Sequence, residues 1–205
     1  MKTIWLGIFT AVLFASCTTQ GDIAKHRSIA TSSPGSSQNA ELSAFLPPGA
    51  TVRLSARGDV DDDGDSDVLI VLQNVVGDEP EFKPRKMIVL SRNSAGYLEK
   101  TAENASAILC QRCGAFMSDD SLEGVRVEKN GFSLRFEGLS RVMWSKEYRF
   151  KYSSLAKTWY LYEINGGVTD RADGRSCVTQ LGSKEFGSVP FAQFDPEQLP
   201  ICSLP

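Results

Sequence analysis

Residues 58–67 read Gly-Asp-Val-Asp-Asp-Asp-Gly-Asp-Ser-Asp. Counting Asp59 as position 1, Asp61 is position 3, Asp63 is 5, Gly64 is 6, Asp65 is 7 and Asp67 is 9. This D-x-D-x-D-G-x-x-D spacing is the chemistry of a hard divalent cation. Ca2+ takes six to eight oxygen ligands at about 2.3–2.6 Å. Alternate residues of a tightly wound loop send their carboxylates to one centre, and a glycine at position 6 permits the sharp turn. Position 7 serves through its backbone carbonyl, so the side chains of Asp65 and of the off-face Asp62 are expected to point to solvent. Six aspartates in nine residues repel one another unless a cation neutralises them. The expected ligands are Asp59, Asp61, Asp63, Asp65 and Asp67, and the expected ion is Ca2+ in a structural role.

An EF-hand needs a bidentate Glu at position 12, where this chain has Ile70, and it needs flanking helices. Here Thr51–Arg57 before the loop and Val68–Leu72 after it both read as strands. A strand–loop–strand unit of this kind resembles the calcium loops of integrin-like FG-GAP and VCBS-type repeats. Gly58, Asp59, Val60, Asp61, Asp63, Gly64, Asp67 and Val68 meet each position of that pattern. The resemblance covers about a dozen residues and implies Ca2+ binding. Only one copy of the loop is present, so a multi-bladed propeller is excluded. Arg57-Gly58-Asp59 also spells the integrin-ligand tripeptide, but an Asp59 that ligates a metal is not free for a receptor.

The chain has five cysteines. Cys17 follows a short apolar run, and the remaining four (Cys110, Cys113, Cys177 and Cys202) suit two disulfides in an oxidising compartment. Cys110 and Cys113 are close enough to bridge locally, and Cys177–Cys202 would clamp a C-terminal extension; other pairings stay open at this level. A thioredoxin-like redox pair would need a helix start within a βαβ unit around Cys110, and a four-cysteine zinc site would need a second knuckle. Neither context is present.

The single histidine, His26, falls in a polar stretch, which removes Ser-His-Asp and Cys-His catalysis. Carboxylates are the only abundant catalytic-type groups left. A glycosidase-like hydrolase would use two of them across a cleft, yet nothing in the spacing of Glu123, Glu137, Glu147 and Glu163 marks a pair. With 22 basic and 25 acidic residues the net charge is -3, which gives no electrostatic footprint for nucleic acid. The expected function is a non-enzymatic, calcium-stabilised binding or structural module with a protein or cell-wall partner. A carboxylate-based hydrolase is the alternative.

The elements around these residues fall into three segments. Met1-Lys2 and the apolar run Ile4–Ala15 form a signal-peptide core, short for a membrane span. Ala15-Ser16-Cys17 resembles a bacterial lipobox, with Phe14 in place of the usual Leu. The resemblance implies cleavage after residue 16 and acylation of the Cys17 thiol, which places the protein in the cell envelope. Thr18 in the next position, by likeness to enterobacterial lipoproteins, implies the outer membrane. Residues 17–44 are rich in Ser, Thr, Ala, Gly and Gln and read as a flexible lipidated tether.

Residues 45–205 read as one mainly β domain, a compact antiparallel meander with short helices. Val125 and Val127 alternate with charged residues up to the Asn130-Gly131 turn, and Phe132, Leu134 and Phe136 alternate after it. Trp144, Tyr148, Phe150 and Tyr152 share a face that Lys146 interrupts. Trp159–Ile164 is aromatic-rich, and Val68–Leu72 is a continuous apolar run, the signature of a strand buried on both faces. Lys86–Leu90 and Tyr97–Thr101 flank a hairpin turn at residues 93–96. Short helices are expected around Ser118–Leu122 and Pro196–Leu199. Leu46-Pro47, the acidic loop, Cys110-x-x-Cys113-Gly114, Ser140–Trp144 and Trp159–Leu161 together resemble a diffuse group of exported bacterial proteins and lipoproteins, which implies an envelope context but no activity.

Overall fold

Two antiparallel meanders make up the fold. Thr51–Gly58 (β1), Asp67–Gln73 (β2), Arg85–Arg92 (β3) and Leu98–Ile108 (β4) form a four-stranded sheet in chain order. Leu122–Glu128 (β5), Gly131–Gly138 (β6), Val142–Ser153 (β7), Thr158–Asp170 (β8) and Ser176–Gly182 (β9) form a five-stranded sheet, also in chain order. The computed structural model describes residues 41–75, 77–114, 120–199 and 201–204. The expected signal peptide, Cys17 and His26 lie outside the described residues. No described helix is long and apolar enough to cross a membrane.

The two sheets share one core. Leu69 and Val71 of β2 and Met87 and Val89 of β3 cluster with Phe132, Leu134, Phe136, Tyr148, Phe150, Trp159, Leu161 and Ile164 of the second sheet. Successive strand residues point to opposite faces, so the intervening Val68, Ile70, Leu72, Ile88 and Leu90 face the other way. There they form a second cluster with Leu42 and Leu98, and Phe45, Leu46 and Val52 pack onto it. The uninterrupted apolar run of β2 thus reflects burial on both faces. The same packing moves the start of the domain. Leu42 is only 1 % exposed, and Glu41 pairs with Arg57 at 3.2 Å and Arg92 at 3.0 Å, so the folded part begins by Glu41 rather than at residue 45.

A C-terminal segment closes the gap between the sheets. Phe191 and Phe194 stand edge-on to Phe150, with ring centroids 5.5 and 5.0 Å away. Asn104 of β4 donates to the carbonyls of Phe191 (2.6 Å) and Phe194 (2.7 Å), and the Tyr148 hydroxyl donates to the carbonyl of Pro196 at 3.0 Å. Cys177 of β9 is bridged to Cys202, with Cα atoms 6.1 Å apart.

Short helices occur, but not at Pro196–Leu199; the one expected around Ser118–Leu122 lies partly outside the described residues. Three-residue 3-10 turns lie at Ser43–Phe45, Pro80–Phe82 and Phe191–Gln193, a four-residue one at Gln111–Gly114, and an α turn at Ser183–Phe186; Glu41 and Leu42 are also helical. Residues 196–199 form a turn, and Leu122 begins β5. Asp120, just before β5, has its carboxylate held by three partners. It accepts the Nη1 and Nη2 donors of Arg85 at 2.8 and 2.6 Å, Arg53 Nε at 3.0 Å and the Leu122 N–H at 2.8 Å. Strand β9 has no counterpart in the sequence reading, since Ser176–Gly182 lacks a clear alternating pattern.

The Arg85 side chain is 1 % exposed, and its Nε donates to the Leu109 carbonyl at 2.9 Å. Burial alone pushes the Asp120 carboxyl up; the Arg85 hydrogen bonds, the Leu122 N–H and the nearby guanidinium charges outweigh it and hold the group below its ordinary range. Breaking a buried pair from one side costs about 3–5 kcal/mol because the other charge stays buried. Asp120→Asn should therefore lower unfolding stability at pH 7 by about that amount, read from urea denaturation. The wild-type advantage should be present above the unfolded carboxylate pKa and fade as pH falls through the depressed folded one.

Candidate metal site

The acidic loop joins β1 to β2, and five residues fix it. Val60, between two aspartates in sequence, is fully buried in the inter-sheet core. Its N–H donates to Asp67 Oδ2 at 2.9 Å, and its carbonyl accepts the Trp159 indole N–H at 2.8 Å. Asp67, with no exposed surface, also accepts the Arg92 N–H through Oδ1 at 3.0 Å. Asp59 winds the loop by accepting the N–H groups of Asp62 at 2.7 Å and Gly64 at 3.0 Å. Gly64 takes a φ of +92°, which favours glycine. At Gly58 a Cβ would sit 2.8 Å from Val127 Cγ1, so the end of β1 can lie against β5 only as glycine.

These anchors bring three of the five expected ligands together. One carboxylate oxygen each from Asp59, Asp61 and Asp67 lies within 4.8 Å of the others, a grouping that could hold a metal ion. Asp63 and Asp65 stay outside that group. Asp63 Oδ1 accepts the Asp65 N–H at 2.9 Å, and the Asp65 side chain is exposed, as is that of Asp62.

The electrostatics match three crowded anions. Burial is the largest influence on Asp61, followed by the charges of Asp67 and Asp63, and together they push its carboxyl up to about 6. Asp67 is also raised, mainly by burial, against the two backbone N–H groups that favour its charged form. Asp61 Oδ1 is shut off from solvent and has no hydrogen-bond partner, an unfavourable state for an ionised carboxylate. A hard cation supplies what that oxygen lacks. Oxygen donors only, with one acceptor left over, fit such an ion.

The sequence reading missed Trp159, Tyr152 and Arg92 as parts of this site. The Tyr152 hydroxyl is raised first by burial and then by the charges of Asp61, Asp63 and Asp67, which places it beside the loop. Arg92 donates to the Ser66 carbonyl at 3.1 Å and to Gly96 O at 2.7 Å, tying the loop to the β3–β4 hairpin. No local signal marks these residues, because they come from distant strands. The candidate hydrolase carboxylates lie on the second sheet: Glu123 pairs with Arg135, while Glu147 and Glu163 pair with Arg149 at 3.5 and 3.2 Å. The four late cysteines form Cys110–Cys113 and Cys177–Cys202. No known protein family, curated protein or solved structure matches the chain.

A raised carboxyl binds its proton more tightly folded than unfolded, so it opposes folding as pH rises from about 4 to about 6. In chelator, the protein should lose stability across that window and level off above it. Asp61→Asn should flatten the slope and be the more stable protein at pH 7. Urea titrations at half-unit pH steps measure both.

Proposed function

We propose that the chain is a lipid-anchored bacterial envelope protein whose domain is stabilised by Ca2+ in the Asp59–Asp67 loop and acts as a non-enzymatic binding or structural module. The observation that supports it best is the solvent-shielded Asp61 Oδ1 without a partner, beside oxygens of Asp59 and Asp67. Asp59, Asp61 and Asp67 would hold the ion, with Asp63 and the Asp65 carbonyl near enough in sequence to contribute. The ion would neutralise the loop's repulsion and so fix the β1–β2 connection against the core. Several carboxylates on a glycine-hinged loop suit Ca2+ better than Mg2+, which keeps its waters and uses one or two carboxylates. A hydrolase reading has no observation in its favour, since arginines hold Glu123, Glu147 and Glu163. The envelope location rests on the Ala15-Ser16-Cys17 processing signal, and its partner would be a protein or cell-wall component.

Extracellular calcium modules bind at about 10⁻⁴–10⁻³ M. At 10 mM Ca2+ the linkage gain is then about 1.5–3 kcal/mol, a rise in Tm of roughly 3–10 °C over the EDTA-treated protein. Asp61→Ala should abolish that rise, and Mg2+ should give little of it. A melt that is the same in Ca2+ and EDTA rejects the calcium reading. In a bacterial host, Cys17→Ser should move the protein from the membrane to the soluble fraction and remove labelled palmitate.

A further inference from the structure

A second site lies on the opposite flank of the core and makes no use of the cation. A cavity of about 340 Å³ is lined by Leu109, Cys113, Trp144, Lys146, Glu197 and Ile201, with Val168 at its side. The Cys110–Cys113 disulfide reaches it asymmetrically. Cys110 is 2 % exposed, whereas Cys113 is part-exposed and lines the cavity. The cavity therefore offers an approach to Cys113, which lines it, and not to Cys110, which does not.

The cavity also holds a cation, with Glu197 as the one carboxylate among the lining residues. Lys146 is the one charged residue on the inward row of β7, and its Nζ sits 5.4 Å from the centre of the Trp144 ring. Among the described residues its ammonium has no ion pair or hydrogen bond. Burial lowers its pKa, and the Glu197 charge opposes that only in part. A half-buried ammonium of this kind gains from any anion formed in the cavity, and a Cys113 thiolate would be one. Stability is the weaker reason for the bond, since a bridge between residues three apart removes about half the unfolded-state entropy of Cys177–Cys202, which spans 25.

We propose that Cys110–Cys113 is an exchangeable disulfide that oxidises a dithiol partner, attacked at Cys113 from the cavity, with Lys146 stabilising the Cys113 thiolate. A partner thiolate attacks Cys113 Sγ; the Cys110–Cys113 bond breaks, and its electron pair goes to Cys110, which takes up a proton. The mixed disulfide between partner and Cys113 is then attacked by the partner's second thiolate at the partner's own sulfur, expelling Cys113 as a thiolate beside Lys146. The partner loses two electrons and two protons and closes its disulfide, and this chain gains two thiols. Lys146 acts as a positioning residue through its charge. The fold is not that of thioredoxin, and the proposal rests on the cavity rather than on the Cys-x-x-Cys spacing.

The test uses the full chain, oxidised, in graded reduced dithiothreitol without denaturant, with thiols trapped by a maleimide and mapped by peptide mass. Cys17 is read separately in the map. Cys110 and Cys113 should become labelled while Cys177 and Cys202 stay bridged and the far-ultraviolet circular dichroism is unchanged. In the selectively reduced protein iodoacetamide should modify Cys113 at least tenfold faster than Cys110. Lys146→Met should slow that reaction at pH 7 by about tenfold, one unit of thiol pKa, and Lys146→Arg should restore it. Labelling only after the fold is lost, simultaneous opening of both disulfides, or a Cys113 rate untouched in folded Lys146→Met each overturns the proposal.

Discussion

A carboxylate with no exposed surface sets the terms for this structure. Asp67 is the last residue of the acidic loop and the first of β2, and it is sealed between the β1–β2 connection and the end of β3. Burying it is tolerable because its two oxygens take N–H groups from two different elements, Val60 in the loop and Arg92 on β3. Each bond carries a further tie. Val60 passes its carbonyl to the Trp159 indole on the second sheet, and Arg92 reaches Glu41, Ser66 and Gly96. The loop that crowds the anions is therefore also the joint between the sheets, the N-terminal segment and the β3–β4 hairpin. Relaxing the repulsion by opening the loop would pull Val60 from the core, so charge neutralisation is the less costly relief.

What can be read from the sequence is what local pattern encodes. Val68–Leu72 announces a doubly buried strand because every one of its side chains is apolar, and it is covered on both faces. The Asn130-Gly131 signal is a real turn, with Asn130 in the left-handed region at a φ of 59°. Lys146 stands out as a flaw in an apolar row, and it does sit on the inward row of β7. Leu42 is hidden by its neighbours: a single leucine among Ser, Asn and Ala looks like tether until the far face of the first sheet is seen to need a cover. Phe191 and Phe194 are equally silent, since two rings three residues apart carry no strand period. Their place is set by Asn104, 87 and 90 residues away in sequence. At the acidic loop, spacing identifies the right segment, but which aspartates converge depends on Val60 and Asp67 being buried, a tertiary fact.

Two short motifs that invite a functional reading have structural employment. Asn104 opens an Asn-Ala-Ser triplet, yet it is 5 % exposed, with its amide N–H groups donated to Phe191 and Phe194 and its Oδ1 accepting the Ser106 N–H at 2.7 Å. A glycan there would have to evict the segment that fills the core. Arg57-Gly58-Asp59 is likewise bound up, with Arg57 on Glu41, Gly58 against Val127, and both Asp59 oxygens on backbone N–H groups. In both cases the residues that recognition would need are already engaged inside the fold.

The acidic loop and the disulfide cavity lie near opposite ends of the same strand, and that separation bears on how they can interact. Tyr152, beside the loop, and Trp144, in the cavity, both belong to β7 and lie eight residues apart, roughly 26 Å along an extended strand. Sites that far apart without shared partners behave nearly additively. The backbone between them is paired on both sides, to β6 and to β8, and Tyr148 and Phe150 between them are fully buried. Coupling would need a second arrangement of the strand, and its hydrogen-bonded register leaves none that keeps the aromatic row inward, because a one-residue slip would turn those rings to solvent. An ion in the loop and opening of the Cys110–Cys113 pair, as proposed, are therefore expected to act independently of each other.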